Sequence, residues 1–328
     1  MKKITSLLIG LFLSVLFAFP VLGAERVLTV GGNAASRPIS DFYMGQHEGT
    51  FYYVNSAVPA SGNCRSLATA CKTITEAVAV AVAGDTIYIK GSFSEAVTVA
   101  VAGVRIVGIG STPHRAQWTS ATDTKTLTIT AADVVVENIR FAPPTYTAGI
   151  PASIYLNGAT YAVIKNNRFQ GKAGSWYAIY TTGDCDNTKI INNEFFYMNT
   201  ATYGTAIKSS GASDISGMLI EGNVFNSNLN HIVAPMKLSV IKNNVLPGGG
   251  LAAAGTYSAT LTVLGIDVHG VSDGGYNVVT QNQLGSLYHQ ACYYPGTGDE
   301  WNGNFVKDRT HATQVDATTG ISILAPAA

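Results

Sequence analysis

The chain repeats one pattern of hydrophobic and polar positions, Ile-x-x-Asn-x-Phe, through its middle and C-terminal parts. The copies begin at Ile164, Ile190, Ile220, Ile241 and Val279. Successive asparagines lie 21 to 38 residues apart. Such uneven spacing arises when a strand stays in register while the loops between its copies vary in length, as in solenoid proteins. An earlier copy at Val136 lacks the asparagine, and a weaker copy follows at Trp301.

Within one copy, the pattern predicts a pair of short strands joined by a turn. Alternate residues of a strand point to opposite faces, so Ile164, Asn167 and Phe169 are expected to point inward. The apolar members would fill a core, while asparagine tolerates a left-handed bend and its amide can bond its own copies about 4.8 Å away. We therefore interpret the repeated asparagines as structural: Asn167, Asn193, Asn223, Asn244 and Asn282.

A second strand precedes each copy. Its inward positions are expected to be Ile154, Ile179, Ile207, Val233 and Ile266. The next residue on each strand would point outward: Tyr155, Tyr180, Lys208, Ala234 and Asp267. Two positions further along come Asn157, Thr182, Ser210, Met236 and His269. If these strands stack, they present one sheet face carrying tyrosines, a lysine and an Asp267/His269 pair.

The N-terminal part adds different signals. The residues from Thr73 to Glu76 fit a helix capping box, and the residues that follow, 77–83, suit a helix or a strand equally because periodicity cannot arbitrate. The sequences YVN, a cysteine-containing loop, KTITEAV, GDTIYIKGSFSEAVTV and the I-x-x-N-x-F copies together resemble the pectate-lyase-like superfamily. The resemblance covers residues 51–284.

This resemblance implies an all-β fold, a single-stranded right-handed parallel β-helix of roughly 8–10 coils. It also implies that residues 73–83 form a short N-terminal capping helix that shields the first coil from edge pairing. Lyases, hydrolases, adhesins and phage tailspikes share this fold, so the resemblance favours no single activity.

The first 24 residues predict a secretory signal peptide, with Lys2 and Lys3 before a short apolar run. We expect a lead-in or cap over 25–50, the β-helix over 51–310 and a C-terminal tail or cap over 311–328. No integral membrane segment is expected after signal removal, and the location would be secreted or periplasmic.

Charge and cysteine content narrow the function. The 20 basic and 20 acidic residues balance, and no basic run occurs, which disfavours nucleic-acid binding. Cys64 and Cys71 are close enough in sequence for a local disulfide in an oxidising compartment. Cys185 and Cys292 could pair or stay free.

Three groups of residues are candidates for a functional site. Asp267, His269 and Lys208 are catalytic candidates, because an Asp/His pair on one face suits acid/base chemistry on a sugar and Lys208 could hold a uronate carboxylate. Tyr155 and Tyr180 could stack on sugar rings, or pack only against each other. The alternative for the Asp267/His269 pair is ordinary solvent-exposed surface, which is the more frequent role of such residues.

Aspartates are the metal candidates. Asp184 and Asp214 lie at equal distances before their asparagines, and Asp186 is near. Stacked carboxylates repel one another unless a cation such as Ca²⁺ bridges them. The alternative is that each aspartate opens a turn by bonding the local backbone.

These observations predict a protein that binds or cleaves an extended polysaccharide on its outward sheet face, as a polysaccharide lyase or glycoside hydrolase if it is an enzyme. A non-catalytic, adhesin-like or structural surface β-helix is the alternative.

Overall fold

The computed structural model divides the chain into two compact units, Met1–Glu48 and Gly49–Ala328. In the first unit, strands Val27–Leu28 and Arg37–Pro38 pair in antiparallel fashion. Besides these two strands, the structure describes residues 49–110, 115–145, 147–172, 174–198, 204–210, 215–248, 264–268, 275–286, 290–293 and 298–306.

Three parallel sheets make up the described part of the second unit. Sheet 1 contains the strands Phe51–Asn55, Thr86–Lys90, Arg105–Gly108, Val135–Glu137, Val163–Lys165, Lys189–Ile191, Leu219–Glu221, Val240–Lys242, Val278–Thr280 and Glu300–Asn302. Sheet 2 contains Ser92–Ser94, Gln117–Thr119, Arg140–Phe141, Arg168–Gln170, Glu194–Phe196, Val224–Asn226, Val245–Gly248, Gln283–Ser286 and Phe305–Val306. Sheet 3 contains Val97–Val99, Lys125–Ile129, Ala152–Asn157, Tyr177–Thr182, Thr205–Ser209, Asn230–Val233, Leu264–Asp267 and Gln290–Tyr293.

From Thr86–Lys90 onward, successive strands of these sheets belong to sheet 1, then to sheet 2, then to sheet 3, and then again to sheet 1. Each strand pairs in parallel with the strand one coil later, as Ile164 does with Ile190. One strand per sheet per coil defines a single-stranded parallel β-helix, which confirms the predicted fold class. A short parallel pair, Ile215–Ser216 with Met236–Lys237, lies outside these sheets.

The repeated asparagines form a hydrogen-bonded ladder at the turn between sheets 1 and 2. The backbone N–H and Nδ2 of Asn167 both donate to Oδ1 of Asn193, at 2.9 and 3.2 Å. Nδ2 of Asn193 donates to the carbonyl of Ile164 in the preceding coil, at 2.8 Å. The same bonds recur along the ladder: Asn167, Asn193, Asn223, Asn244, Asn282 and Asn304.

The ladder asparagines do not themselves make the left-handed bend, contrary to the prediction. The residue before each one does, as at Asn166 (φ 57°) and Asn192 (φ 54°). A side chain that must point into the core needs ordinary strand geometry, so the bend falls on its exposed neighbour. Gly222 and Gly303 fill this position in two later coils, because glycine adopts positive φ without steric cost.

The core is a set of side-chain stacks that run through the coils. Phe169, Phe195 and Phe225 are fully buried, and their ring centroids are 4.9 and 4.8 Å apart. The stack continues toward the N-terminus through Phe141 and Trp118. Identical side chains can stack in this way because parallel strands lie about 4.8 Å apart.

A helix, α1 (Ile74–Val80), stands near the first coils and confirms the predicted capping helix, although it ends at Val80 and not at Ala83. Thr73 and Glu76 form the predicted capping box. The carboxylate of Glu95 also accepts from the backbone N–H groups of Ile74 and Thr75, at 2.8 and 3.0 Å. The first turn of the helix is therefore satisfied by side chains.

Cys64 and Cys71 form the predicted disulfide in the loop before α1. Cys71 lies beside the first strand of sheet 1, where its backbone exchanges hydrogen bonds with Tyr53 and Asn55. The loop is therefore fixed to the edge of the first coil. No helix in the described residues is long and apolar enough to cross a membrane.

Candidate functional site

The predicted outward positions of sheet 3 fall into one row, which we call the outer column. The sheet register places Tyr155 opposite Tyr180 and Tyr180 opposite Lys208. Because alternate residues of each strand face outward, these side chains lie side by side along the solenoid axis. In chain order, the outer column includes Thr98, Thr128, Tyr155, Tyr180, Lys208, Val233 and Asp267.

One strand was predicted out of register. Ile232 and not Val233 is the inward residue, since Ile232 pairs with both Ile207 and Ile266. Val233 therefore occupies the outer column in place of Ala234, which is buried. Met236 is also buried, in the short strand that pairs with Ile215, and does not belong to the outward face.

The two outward tyrosines pack within a larger aromatic cluster. The rings of Tyr155 and Tyr180 stack with centroids 5.8 Å apart and planes 18° apart. Nζ of Lys125 lies 3.8 Å from the centre of the Tyr155 ring, in cation–π contact. Tyr180 also contacts Tyr177, at 5.0 Å between centroids. A ligand would therefore meet the edges and hydroxyl groups of these rings more readily than their faces.

Lys125, Tyr177 and Trp176 were not found from the sequence. Trp176 stacks on Tyr177 at 4.7 Å, and only 8% of its surface is exposed. Lys125 lies on the strand before Tyr155, opposite Ala152. That strand belongs to the coil without a repeat asparagine, so the ladder gave no anchor for aligning it. Matching KTLTI to ASIYLN would have revealed the lysine.

A loop borders this cluster on the side where the chain arrives from sheet 2. The carboxylate of Asp123 accepts hydrogen bonds from the backbone N–H and hydroxyl of Thr147 and from the N–H of Ala148. These bonds hold the pKa of Asp123 below its ordinary value. Thr145 forms a bridge with Ser175, just before the strand of Tyr177. The loop is thus attached to both neighbouring coils.

Lys208 is half-buried next to Tyr180 and Val233. Burial lowers the pKa of its ammonium group, and the negative charge of Asp267 acts in the opposite direction. The two residues stand on strands two coils apart, about 10 Å. Asp267 itself is only 8% exposed. The outer column thus brings together a desolvated amine and a nearly buried carboxylate.

The two tyrosine hydroxyls are protonated at neutral pH. Burial raises the pKa of Tyr155 and of Tyr180 above their ordinary value. Each phenol can therefore donate a hydrogen bond as well as accept one.

Two of the aspartates predicted to bind metal, Asp184 and Asp186, lie in the turn after the sheet 3 strand Tyr177–Thr182. Asp184 is exposed, and its Oδ1 accepts from the backbone N–H of Asp186 at 3.3 Å. Oδ1 of Asp186 accepts from the N–H of Ser216 in the next coil at 2.6 Å. This is the turn-forming role weighed as the alternative. Among the described residues, no group of three or more His, Cys, Asp or Glu side chains could hold a metal ion. The Ca²⁺ site stays a prediction.

Two candidate residues, His269 and Asp214, lie outside the described residues, so the structure pairs neither with its expected partner. Cys185 is free and buried, and its burial raises the pKa of the thiol, which keeps it protonated. Cys292 lies in the strand Gln290–Tyr293. Cys185 therefore belongs to the core and not to the site.

Known structures share this architecture. An alginate lyase from Paenibacillus sp. str. FPU-7 matches with a TM-score of 0.53 and 12% identity, over 77% of this chain and 87% of that chain. The pectate lyase Bsp165PelA from Bacillus sp. N165, solved with trigalacturonate, matches with a TM-score of 0.50 and 12% identity, over 85% and 89%.

No family model matches the sequence, and no curated protein is similar enough to match. At 12% identity, the structural similarity shows a common fold and nothing about activity. The chain has a single-stranded parallel β-helix fold, which these lyase structures share.

Proposed function

We propose that this protein binds an extended polysaccharide along the outward face of sheet 3. The observation that carries the proposal is the outer column, in which Tyr155, Tyr180 and Lys208 follow one another on adjacent strands. Strands about 4.8 Å apart repeat side chains along a straight line. A long polymer laid along the axis would therefore meet a new polar group at each coil.

The charges on this face favour a glycan that carries carboxylates. Lys125 and Lys208 stand on strands at either end of the two outward tyrosines, about 14 Å apart along the axis. An acidic polymer could contact both ammonium groups while the tyrosine hydroxyls bond its sugar hydroxyls. The lyases of similar fold, which act on alginate or pectate according to their names, are in keeping with this choice.

Cleavage is a second step of the proposal, favoured by the lowered pKa of Lys208. The neutral fraction of the Lys208 amine, which the lowered pKa increases, can take the proton from the carbon next to a uronate carboxylate. The electron pair of that C–H bond then forms a carbon–carbon double bond, and the glycosidic C–O bond breaks toward its oxygen. A proton from His269 or water completes the leaving hydroxyl.

The alternative, a non-catalytic surface β-helix, has its own support. Tyr155 is covered by Lys125 on one side and contacts Tyr180 on the other, which is the packing role. In that case the outer column would stabilise the solenoid without a ligand.

The location and the metal are part of the same proposal. A disulfide between Cys64 and Cys71 suits an oxidising, extracytoplasmic compartment, in keeping with the predicted signal peptide. Ca²⁺ would be needed only if Asp184, Asp186 and Asp214 bind it between coils.

We expect alginate or polygalacturonate to bind, and Lys208→Ala to weaken that binding about tenfold, because it removes a charge-assisted contact. Calorimetry with each polymer, with and without Ca²⁺, measures the affinity, and ultraviolet absorbance of unsaturated ends measures cleavage. Lys189→Ala is the matched control, since Lys189 is exposed on sheet 1.

Binding without new absorbance would support the binding function alone. Equal affinities for the two lysine variants, or no binding by the unaltered protein, would contradict the proposal and favour the structural alternative.

A further inference from the structure

A group of arginines lies on a different face, on the outside of sheet 2 near its turn from sheet 1. The register places Arg140 directly opposite Arg168 on the next strand. Arg115 comes from the coil before, and its Nη1 donates to the carbonyl of Asn166 at 3.0 Å, two residues before Arg168. Loops of different lengths thus place three guanidinium groups near the same turn between sheets 1 and 2.

Few carboxylates balance these charges. Arg168 lies 3.5 Å from Glu194 and over the ring of Phe196. On the adjoining face of sheet 1, Arg105 and Lys165 both bind one carboxylate, that of Glu137, at 3.1 and 3.2 Å. In the described part of the chain, the side chain of Arg140 forms no ion pair and no hydrogen bond.

The charge surplus near this turn is local. Three cationic side chains pair with the carboxylates of Glu137 and Glu194, and two more stand nearby without a carboxylate partner among the described residues: Arg105, Lys165 and Arg168 are paired, Arg115 and Arg140 are not. The whole chain is neutral, with 20 basic and 20 acidic residues. Overall charge therefore does not account for this concentration of positive charge.

We expect this arrangement to reduce the stability of the protein without a ligand. Like charges directly opposite on neighbouring strands repel each other. The Nε atoms of Arg115, Arg140 and Arg168 are shielded from solvent and make no hydrogen bond within the described residues, which adds a desolvation cost. An anion placed between the guanidinium groups would remove the repulsion. The position of Arg140 opposite Arg168 is therefore better explained by the binding of an anionic ligand than by a contribution to the stability of the fold.

We propose that this arginine face is a second binding site, for the oxyanion of an acidic glycan, with Arg140 as its principal contact. A guanidinium group presents two parallel donors that match carboxylate and sulfate oxygens. Gln117 lies opposite Arg140 on the preceding strand, and Gln170 lies two residues after Arg168 on the same strand; both add amides suited to sugar hydroxyls. The site stands on sheet 2, so it does not depend on the outer column of sheet 3.

The test compares two single variants of the full chain. Arg140→Gln removes the unpaired guanidinium, and Arg105→Gln removes a nearby charge that already has Glu137 as partner. Calorimetry would use dextran sulfate and polygalacturonate as probes, with neutral dextran and single-stranded DNA for comparison.

We expect Arg140→Gln to weaken binding of at least one acidic glycan about tenfold, the loss of one charge-assisted hydrogen bond. Arg105→Gln should change it about twofold or less. The Tm of Arg140→Gln without polymer should equal or exceed that of the unaltered protein. Tighter binding of dextran sulfate would identify a sulfate site, and tighter binding of polygalacturonate a carboxylate site.

The second site would be contradicted if neither acidic glycan bound, or if Arg140→Gln and Arg105→Gln lost affinity equally. It would also be contradicted if DNA bound as tightly as the glycans, or if Lys208→Ala abolished all glycan binding. The last would place every contact on sheet 3. Retained binding by Lys208→Ala with loss in Arg140→Gln supports the second site even if the proposed function of sheet 3 fails.

Discussion

Asn193 in the asparagine ladder and Tyr180 in the outer column lie on neighbouring parts of one turn of the chain, yet their axial neighbours differ. Asn193 has asparagine in the coil before and in the coil after. Tyr180 has tyrosine on one side and lysine on the other. Both positions obey the same strand register, so the backbone does not explain the contrast.

The contrast lies in what each side chain must satisfy. Inside, buried N–H and C=O groups need partners in every coil, and asparagine supplies a donor and an acceptor at the right height. Outside, water satisfies polar groups, so each coil is free to carry a different residue. Variation on the outer column is therefore open to selection for a ligand, while uniformity in the ladder reflects folding.

The ladder should be the more sensitive of the two regions. Asn193→Ala would leave the buried N–H of Asn167 and the carbonyl of Ile164 without their partners. We expect the free energy of unfolding to fall by about 3 kcal/mol or more. Urea unfolding followed by circular dichroism measures the loss.

The neighbouring Asn192 is the matched control for this prediction. It holds the left-handed turn position, which Gly222 fills in the next coil. Asn192→Gly should change stability by about 1 kcal/mol or less. Similar losses in the two variants would mean that the ladder bonds contribute no more than the turn.

The contribution of the outer column to stability should depend on pH, whereas that of the ladder should not. Burial lowers the folded-state pKa of Lys208, so between the folded and unfolded values the unfolded chain binds more protons. The contribution of this residue to stability is therefore lowest below the folded-state pKa and recovers as pH rises toward the unfolded value of about 10.4.

Lys208→Met should accordingly raise the Tm by a few degrees at neutral pH, and the gain should shrink as pH approaches the unfolded pKa. Thermal unfolding over this pH range measures it, with the exposed Lys189→Met as control. A gain that is constant with pH, or equal in the control, would show that Lys208 is not penalised by burial.

The smallest effect is expected for an apolar outward residue of sheet 2, two strands beyond Arg168. Val224 is 37% exposed on sheet 2 and adjoins the buried Phe225. Val224→Thr keeps the β-branched shape that suits a strand, so stability should change by about 0.5 kcal/mol or less. A larger loss in urea unfolding would mean that outward positions are constrained by packing as well, and would weaken the comparison.

The asparagine ladder and the phenylalanine stack could be predicted from the sequence, because each repeats a local pattern that needs no knowledge of distant residues. Thr73 and Glu76 at the start of α1 were predictable for the same reason, since a capping box involves residues only three apart. The end of α1 at Val80 was not, since the alternating Ala/Val run beyond it suits a strand equally.

The candidate site was predicted in part. Tyr155, Tyr180, Lys208 and Asp267 were placed on one face by aligning strands to the ladder. The alignment failed by one residue at Val233, where two adjacent apolar residues leave the inward position ambiguous. Lys125 was missed because its coil has no ladder asparagine.

The fold, the ladder and the inward stacks follow from local sequence patterns, since these depend on periods of a few residues repeated in every coil. The contact of Lys125 with Tyr155 and the position of Arg140 opposite Arg168 follow from no such pattern. Such pairs join residues one coil apart, and the length of each coil is set by loops that follow no pattern. Two such residues become neighbours on the surface only when the loops bring their strands into register, so the sequence pattern does not predict the contacts of either proposed site.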